Sequence, residues 1–400
     1  MLSQVIDSQQ KKAGAPMGTP KKTVSRRKFI KKSSLLSSVP VIAAGLPASS
    51  LANVQDANEF LRLGWIGVGG RGTSLLDRAL RSVSVSTLKV NAICDIDPKA
   101  RARGIRMCGA MKPAGIHDYK ELLARKDIDA VFVATPIYLH PEHAVAVLES
   151  GKHCYCEKPL GPTPEGVKKV YDAVKKSGKK FQIGFQWRYH SGFLGFVDQL
   201  QGGAVGKTSF INSARHVGGY PEKEGSWYMD RKLSGDLIVE QAVHEMNVFC
   251  WALDAHPLRA AGFGGINALE GRPKGRSMMD SYGVTYEFPG NIRLNYTHVI
   301  YAASGFGGLY MTVFGDAGKA LELEGTVNLS VTKDGKKTKV DLPPLKDSTE
   351  LAIQSFARSI REDKEPLANV DAGRHATLMS LLGRTAIHEK RVVEWKEVAL

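Results

Sequence analysis

The stretch Leu61-Arg62-Leu63-Gly64-Trp65-Ile66-Gly67-Val68-Gly69-Gly70-Arg71-Gly72 decides the fold. Its first six residues form an apolar run of strand length, and Leu75, Leu76, Ala79 and Leu80 then recur at helical spacing. Between strand and helix stands Gly-x-Gly-x-x-Gly, in which each glycine has its own task. Gly67 makes the tight turn, Gly69 lets the backbone approach a diphosphate, and Gly72 lets helix and strand pack closely. Gly70 and Arg71 complete the turn, where the free N–H groups of the helix start favour an anion. A second strand, Val90 to Cys94, ends in Asp95, 23 residues after Gly72. An acid there bonds a ribose 2′-hydroxyl and repels a 2′-phosphate. NAD is therefore favoured over NADP, with Arg71 as the basic side chain that leaves NADP open.

Outward from this unit the alternation continues. Residues 119–125, 141–150 and 164–176 read as helices, and 130–134, 153–156 and 181–185 as buried strands. Such alternation predicts βαβ units and a doubly wound parallel sheet, an α/β Rossmann domain whose ligands bind beyond the carboxyl ends of the strands. Two of those ends carry chemistry: Ala134-Thr135-Pro136 followed by His140, and Glu157-Lys158-Pro159. Thr135, Pro136, His140, Glu157 and Lys158 thus join Gly67, Gly69, Gly70, Arg71, Gly72 and Asp95 as candidate cofactor contacts.

From Trp187 the pattern changes. One helical stretch, 235–253, lies among alternating segments at 209–216, 281–288, 291–300, 309–314, 319–324, 327–332 and 337–342, and helices at 349–362 and 371–390 close the chain. This predicts a C-terminal α+β domain with a large, mostly antiparallel open sheet. The expected division is a leader at 1–52, the nucleotide-binding domain at 53–186, and a substrate-binding and oligomerisation domain at 187–400.

A chain of 400 residues with 43% hydrophobic and 24% charged residues has the material for two full cores, which excludes disorder, collagen and small disulfide scaffolds. More than half of the net charge of +15 sits in residues 1–52, where nine basic residues face the single acid Asp7. Without a basic stripe elsewhere, no nucleic-acid partner is expected. Ser25-Arg26-Arg27-Lys28-Phe29-Ile30-Lys31 is similar to a twin-arginine export signal. The apolar stretch from Leu35 to Leu46 is too short for the roughly 20 residues that span a bilayer, so no stable membrane insertion is expected. Ser50-Leu51-Ala52 suits cleavage before Asn53. A periplasmic or otherwise exported protein, carried folded by the twin-arginine machinery with its cofactor aboard, is the expectation. The five cysteines, with no C-x-x-C pair, predict free thiols. Cys154 and Cys156 alternate in a buried strand, and no metal site is expected.

Taken together, Gly67 to Gly72, Asp95-Ile96-Asp97, Ala134-Thr135-Pro136 with His140, Gly151-Lys152-His153, Glu157-Lys158-Pro159 and the run Gly235 to Asn247 resemble the glucose-fructose oxidoreductase, inositol dehydrogenase and rhizopine-catabolism family (Gfo/Idh/MocA). The resemblance covers essentially all of the chain after Asn53. It implies NAD(P)-dependent oxidation of a sugar or cyclitol hydroxyl by a homodimer or homotetramer. It also implies that Lys158 reaches the reacting hydroxyl, and that a helix motif D-x-x-x-H falls on Glu240 and His244. Two positions depart from the motif: Glu240 replaces the usual Asp, and Asn247 replaces a second one. The chemistry agrees with these roles, since hydride removal requires a base for the hydroxyl proton, and a tuned lysine or a histidine can serve. Four residues apart, Glu240 and His244 are expected on one face of a helix.

Arg188 and Tyr189, with His190, follow the last Rossmann strand, where they either grip substrate hydroxyls or pack the domains together. His216 with Tyr220, and Trp227 with Tyr228, either wall the sugar site or are structural. Three functions remain open. The first is an exported oxidoreductase with tightly bound NAD. The second is a redox-neutral NAD-dependent glycosidase working by transient C3 oxidation, elimination and hydration. The third is a non-catalytic, nucleotide-dependent sugar-binding protein.

Overall fold

The computed structural model describes residues 60–82, 88–219, 226–316 and 318–400. The export motif, the cleavage site after Ala52 and Tyr220 lie outside the described residues. The first layer is built from β1 (Leu61–Ile66), α1 (Gly70–Ser82), β2 (Leu88–Cys94), α2 (Pro98–Met107), β3 (Ala114–Ile116), α3 (Tyr119–Ala124), β4 (Ala130–Val133), α4 (His140–Glu149), β5 (His153–Cys156), α5 (Pro164–Ser177) and β6 (Phe181–Ile183). Its sheet order is β3-β2-β1-β4-β5-β6 and every pairing is parallel. The order reverses between β1 and β4, which opens a crevice at the carboxyl ends of those strands. Buried on both faces, β4 reads as an unbroken apolar run, and β5 is buried from Cys154 to Cys156. The five cysteines are free and buried.

Helix ends follow local chemistry. In α2, Asp97 accepts the Lys99 N–H and Pro98 takes the first position, where a missing N–H costs nothing. In α5, Thr163 caps and Pro164 follows, and Gly178 at φ +63° ends the helix.

The rest of the chain forms α6 (Ser191–Gln201), β7 (Phe210–His216), α7 (Arg231–Ser234), α8 (Leu237–Glu240), α9 (Val243–Leu253), β8 (Arg259–Gly265), β9 (Ser281–Phe288), β10 (Ile292–Val299), β11 (Gly308–Phe314), β12 (Ala320–Glu324), β13 (Asn328–Lys333), β14 (Lys336–Lys339), α10 (Ser348–Arg361), α11 (Val370–Glu389) and β15 (Val393–Glu394). The sheet runs β14-β13-β12-β11-β7-β10-β9-β8-β15, antiparallel except where β7 meets β10. One face is apolar along Tyr282, Val284, Tyr286 and Phe288 of β9 and Leu294 and Tyr296 of β10, and α9 and α11 pack with it.

Two differences from the sequence reading affect the site. The expected single helix 235–253 is broken into α8 and α9 at Gln241 and Ala242. Glu240 and His244 therefore do not share the face of one continuous helix. The second difference concerns α10, which lies in the C-terminal part of the sequence but returns to the first sheet. Phe356 meets Phe132 and Tyr155 edge-on at 5.6 and 5.7 Å, and Ile353 and Ala357 join the same core. A division of the packing at residue 186 does not hold for this helix. No helix among the described residues is long and apolar enough to cross a membrane.

Candidate functional site

The crevice is a cleft of about 690 Å³, lined by the glycine turn, the ends of β2 and β4, Glu157, Lys158, Trp227, Tyr228 and Glu240. That volume falls within the roughly 300–1,000 Å³ of small-molecule and cofactor sites. Gly67 sits at φ +91°, and a Cβ there would press on the Ala134 carbonyl at 2.8 Å. On Gly72 a Cβ would lie 2.1 Å from the Gly67 oxygen, so only glycine lets the helix start so close to the strand. At Gly69 and Gly70, in contrast, an added Cβ meets no protein atom within 4 Å. These two positions face the open cleft at the start of α1, where unpaired N–H groups and the helix dipole suit a diphosphate. The residues present fit a dinucleotide.

Asp95 stands at the end of β2. Its Oδ2 accepts the Val68 N–H at 2.8 Å and its Oδ1 the Asp97 N–H at 2.9 Å, so the carboxylate both fixes the turn and keeps lone pairs toward the cleft. Ile96 beside it is 77% exposed, an apolar side chain on the cleft rim. Arg71 lines the cleft, and its Nε donates to Glu157 Oε1 at 2.7 Å. Glu157 is pressed against Gly184, where a Cβ would come within 2.7 Å of its Cδ.

His140 is at the cleft lining. Nearly inaccessible, it reaches the Pro159 carbonyl with Nδ1 at 2.7 Å and the Thr135 carbonyl with Nε2 at 2.9 Å, tying two strand-end loops together. Among the cleft residues that sequence reasoning missed, with His117, Tyr119 and Tyr138, is His143, one turn further along α4. Its Nδ1 meets Thr135 Oγ1 at 3.0 Å, Tyr119 packs on its ring at 4.5 Å, and burial pulls its pKa down to about 4. Its spacing from His140 was the available signal.

At the inner end of the cleft, Lys158 precedes a cis bond to Pro159. Its Nζ donates to the carbonyl oxygen of Glu240 at 2.5 Å and to Glu240 Oε1 at 3.1 Å. The two side chains are only 16% and 9% exposed. The turn that presents Glu240 is held by Asp236, a residue at φ +79° with no exposure. Asp236 Oδ1 accepts the N–H groups of Leu237 and Met279, each at 2.8 Å, and Oδ2 lies 2.7 Å from His388 Nε2. Arg231, which can only donate, faces His388 Nδ1 at 3.2 Å. Nδ1 must therefore accept, and Nε2 carries the proton given to Asp236.

His244, on the next helix, stacks on Trp187 at 5.0 Å and meets Phe185 edge-on at 6.0 Å. It does not line the cleft itself. Its Nδ1 is buried without a hydrogen-bond partner among the described residues. Burial first, then Lys158, Arg215 and Arg71, hold its pKa well below the ordinary histidine range, so the ring is neutral. Trp227 and Tyr228 stack at 3.9 Å and wall the cleft. Burial, Glu240 and Glu157 push the Tyr228 phenol up to about 12.

Other sequence candidates are placed outside the cleft lining. Arg188 donates to Asn247 Oδ1 at 2.9 Å and to the Leu367 carbonyl at 3.1 Å, and lies over the Trp251 ring. Tyr189 donates to Gln182 Oε1 at 3.2 Å. His190 caps α6 through Gly192 N, and His216 meets Thr297 Oγ1 at 3.3 Å.

Residues 61–185 match a family model described as GFO_IDH_MocA, oxidoreductase family, NAD-binding Rossmann fold, and residues 196–321 match the GFO/IDH/MocA C-terminal domain. Among curated proteins, the inositol 2-dehydrogenase of Salmonella typhimurium is 30% identical over 195 residues, 48% of this chain and 55% of its own length. An inositol 2-dehydrogenase/D-chiro-inositol 3-dehydrogenase of Shouchella clausii is 32% identical over 196 residues, 48% of this chain and 53% of its own. The chain thus spans about half the length of the curated relatives it matches. Among solved structures, levoglucosan dehydrogenase in complex with NADH and levoglucosan superposes with a TM-score of 0.74 at 18% identity, covering 84% of this chain and 99% of that one. The aldose-aldose oxidoreductase of Caulobacter crescentus gives 0.73 at 18% identity with the same coverage. At such identity the likeness is one of fold.

Proposed function

Because this chain belongs to the GFO/IDH/MocA oxidoreductase family, we propose that it is an NAD-dependent oxidoreductase acting on a secondary hydroxyl of a sugar, sugar derivative or cyclitol. The observation that carries the reading is the contact of Lys158 Nζ with Glu240 at the inner end of the nucleotide cleft. The bound nucleotide supplies a hydride acceptor. The protein's own residues do the rest. The backbone at Gly69 and Gly70 leaves room for the diphosphate, and Asp95 favours a ribose 2′-hydroxyl over a 2′-phosphate. Arg71 stands in the same cleft with its Nε held by Glu157.

Lys158 holds the reacting hydroxyl oxygen and takes its proton as the hydride leaves. To take that proton the amine must be in its uncharged form, whose two N–H groups then go to the Glu240 carbonyl and carboxylate and whose lone pair is left for the substrate hydroxyl. The acid is therefore a positioning group for the amine. His244, neutral and buried, stands as the second acid-base group next to this pair. Tyr228 stays protonated at neutral pH and offers its hydroxyl as a donor to a substrate oxygen.

A second reading is favoured by the twin-arginine motif at Ser25 to Lys31. An exported enzyme lacks a fresh supply of NAD, so a retained nucleotide must finish each cycle as it began. Oxidation at C3 of a glycoside, loss of the aglycone, addition of water and return of the hydride meet that demand. Incubating nucleotide-loaded protein with free sugars, cyclitols and glycosides tests both readings. Lasting reduction of the nucleotide supports the oxidoreductase, and aglycone release without net reduction supports the glycosidase. Retention of a sugar with neither event leaves only a binding protein.

A further inference from the structure

Arg71 stands between Gly70 and Gly72, and the second of these fixes its place. A Cβ on Gly72 would lie 2.1 Å from the Gly67 oxygen, so the start of α1 is locked against the strand ends. From this anchor the Arg71 side chain crosses to the end of β5, where its Nε donates to Glu157 Oε1 at 2.7 Å. The other oxygen, Glu157 Oε2, accepts the main-chain N–H of Lys158 at 3.2 Å. One carboxylate thus joins the turn that faces the diphosphate to the backbone of the lysine whose amine meets Glu240.

The slot for that carboxylate is built into the fold. Gly184, just after β6, would place a Cβ 2.7 Å from Glu157 Cδ and Oε2 and 2.8 Å from Oε1, so only glycine leaves it room. The Glu157 side chain is 6% exposed and that of Arg71 33%, so the base reaches a buried acid from the cleft side. Burial works against the charge on Arg71, and Glu157, with smaller help from Tyr155 and Asp347, outweighs it and holds the charge in place. Arg71 Nη2 is buried with no hydrogen-bond partner among the described residues, which leaves the bond from Nε to Glu157 to aim the guanidinium.

Resting on the oxidoreductase reading, we propose that Arg71 is a positioning residue for Lys158: it pins the Glu157 carboxylate, and Glu157 pins the lysine main chain at a set distance from the nucleotide turn. Hydride transfer needs base, hydroxyl and nicotinamide in register at once, and a misplacement of about 1 Å costs about 100-fold in rate. The turn holds one reactant and Lys158 the other, so a rigid link between them sets that register. Without Arg71, Glu157 keeps a buried charge that has lost its partner, a state unfavourable enough to move the carboxylate and release the Lys158 N–H.

The test uses the full chain at saturating NAD, so that nucleotide affinity does not enter, with a panel of free sugars, cyclitols and glycosides. Arg71→Met should lower kcat about 100-fold. Arg71→Lys, which restores a charge facing Glu157, should regain about 10-fold or more, the worth of a charge-assisted bond. In Glu157→Gln the single carbonyl oxygen serves only one of the two donors, so this variant should also be slow. The double variant Arg71→Met with Glu157→Gln should be no slower than Arg71→Met alone, the mark of two residues acting through one link. Losses that multiply, or a kcat for Arg71→Met close to that of the wild type, overturn the proposal. A second readout needs no turnover. In the wild type the Lys158 side chain is 16% exposed and held by Glu240. Labelling folded protein with acetic anhydride, read by peptide mass, should modify Lys158 several-fold faster in Arg71→Met and in Glu157→Gln, relative to Lys180, which is paired with Asp363 far from the link. An unchanged ratio in whichever of the two variants folds overturns the proposal. A wild type that holds NAD yet neither reduces it nor releases an aglycone overturns the oxidoreductase reading, and the labelling ratio still decides the role of Arg71.

Discussion

Lys158 takes the backbone carbonyl of Glu240 as well as its carboxylate, at 2.5 and 3.1 Å. In a continuous helix that carbonyl would accept the N–H of His244, four residues on. Here the His244 N–H turns to the Gln241 carbonyl at 3.4 Å, and the helix breaks between α8 and α9. The break and the placement of the lysine are one feature.

Replacing Lys158 by alanine should therefore abolish nucleotide reduction while leaving the glycine turn intact. Loss of a positioned acid-base group costs about 10²–10⁴ in rate. The dissociation constant for NAD, followed by fluorescence titration, should stay within about threefold of the wild type. Comparable reduction rates in the variant would remove Lys158 from the chemistry.

The glycines of the turn should separate binding from folding. A Cβ on Gly69 meets no protein atom, whereas one on Gly72 lies 2.1 Å from the Gly67 oxygen. Gly69→Val should keep the melting temperature and weaken NAD binding. Gly72→Ala should lower both, since overpacking costs about 1–3 kcal/mol. Calorimetry of the two variants with and without NAD distinguishes the cases.

Asp236 and His388 support the turn that carries Glu240. Removing the imidazole in His388→Ala leaves a buried carboxylate oxygen short of a donor, a loss of about 1–3 kcal/mol. The expected signature is a lower kcat with little change in KM, because substrate contacts remain while Glu240 loses its fixed position. A change confined to KM would count against this support.

Stability should fall with acid on account of His143, whose pKa burial lowers to about 4. The unfolded chain binds a proton near pH 6.5 that the folded chain refuses until about pH 4, so the stabilisation is complete above 6.5 and lost as pH falls. At pH 5 the loss amounts to about 2 kcal/mol. Urea unfolding of wild type and His143→Asn at pH 7.5 and 5.0 measures it. The drop between the two pH values should be smaller in the variant by roughly that amount, and equal drops would contradict the assignment.

Much of the first layer is legible in sequence because a strand such as β4, buried on both faces, leaves an uninterrupted apolar run between helices. Helix α2 is harder to read, since among its arginines only Ala100 and Gly104 are buried. Strand β8 is glycine-rich and half exposed, with no apolar alternation to mark it. For α6 the signal existed: Phe193, Phe196, Val197 and Leu200 recur at helical spacing. The return of Phe356 to the first sheet depends on tertiary packing that no local pattern encodes. At the site, the glycines, Asp95, Lys158 and Glu240 stand out through motif spacing. The pairing of Arg71 with Glu157, 86 residues apart, and of Arg215 with Glu245, 30 apart, depends on how separate elements meet.

The central claim is that Lys158, held by Glu240, takes a hydroxyl proton as NAD accepts a hydride. Its most direct test is reduced-nicotinamide absorbance in single-turnover mixtures of NAD-loaded wild type and Lys158→Ala with the sugar, cyclitol and glycoside panel. The account predicts reduction with at least one uncharged polyol, or aglycone release without lasting reduction, and neither event in the variant. Full activity in Lys158→Ala, or a wild type that binds NAD yet never reduces it nor releases an aglycone, would contradict it.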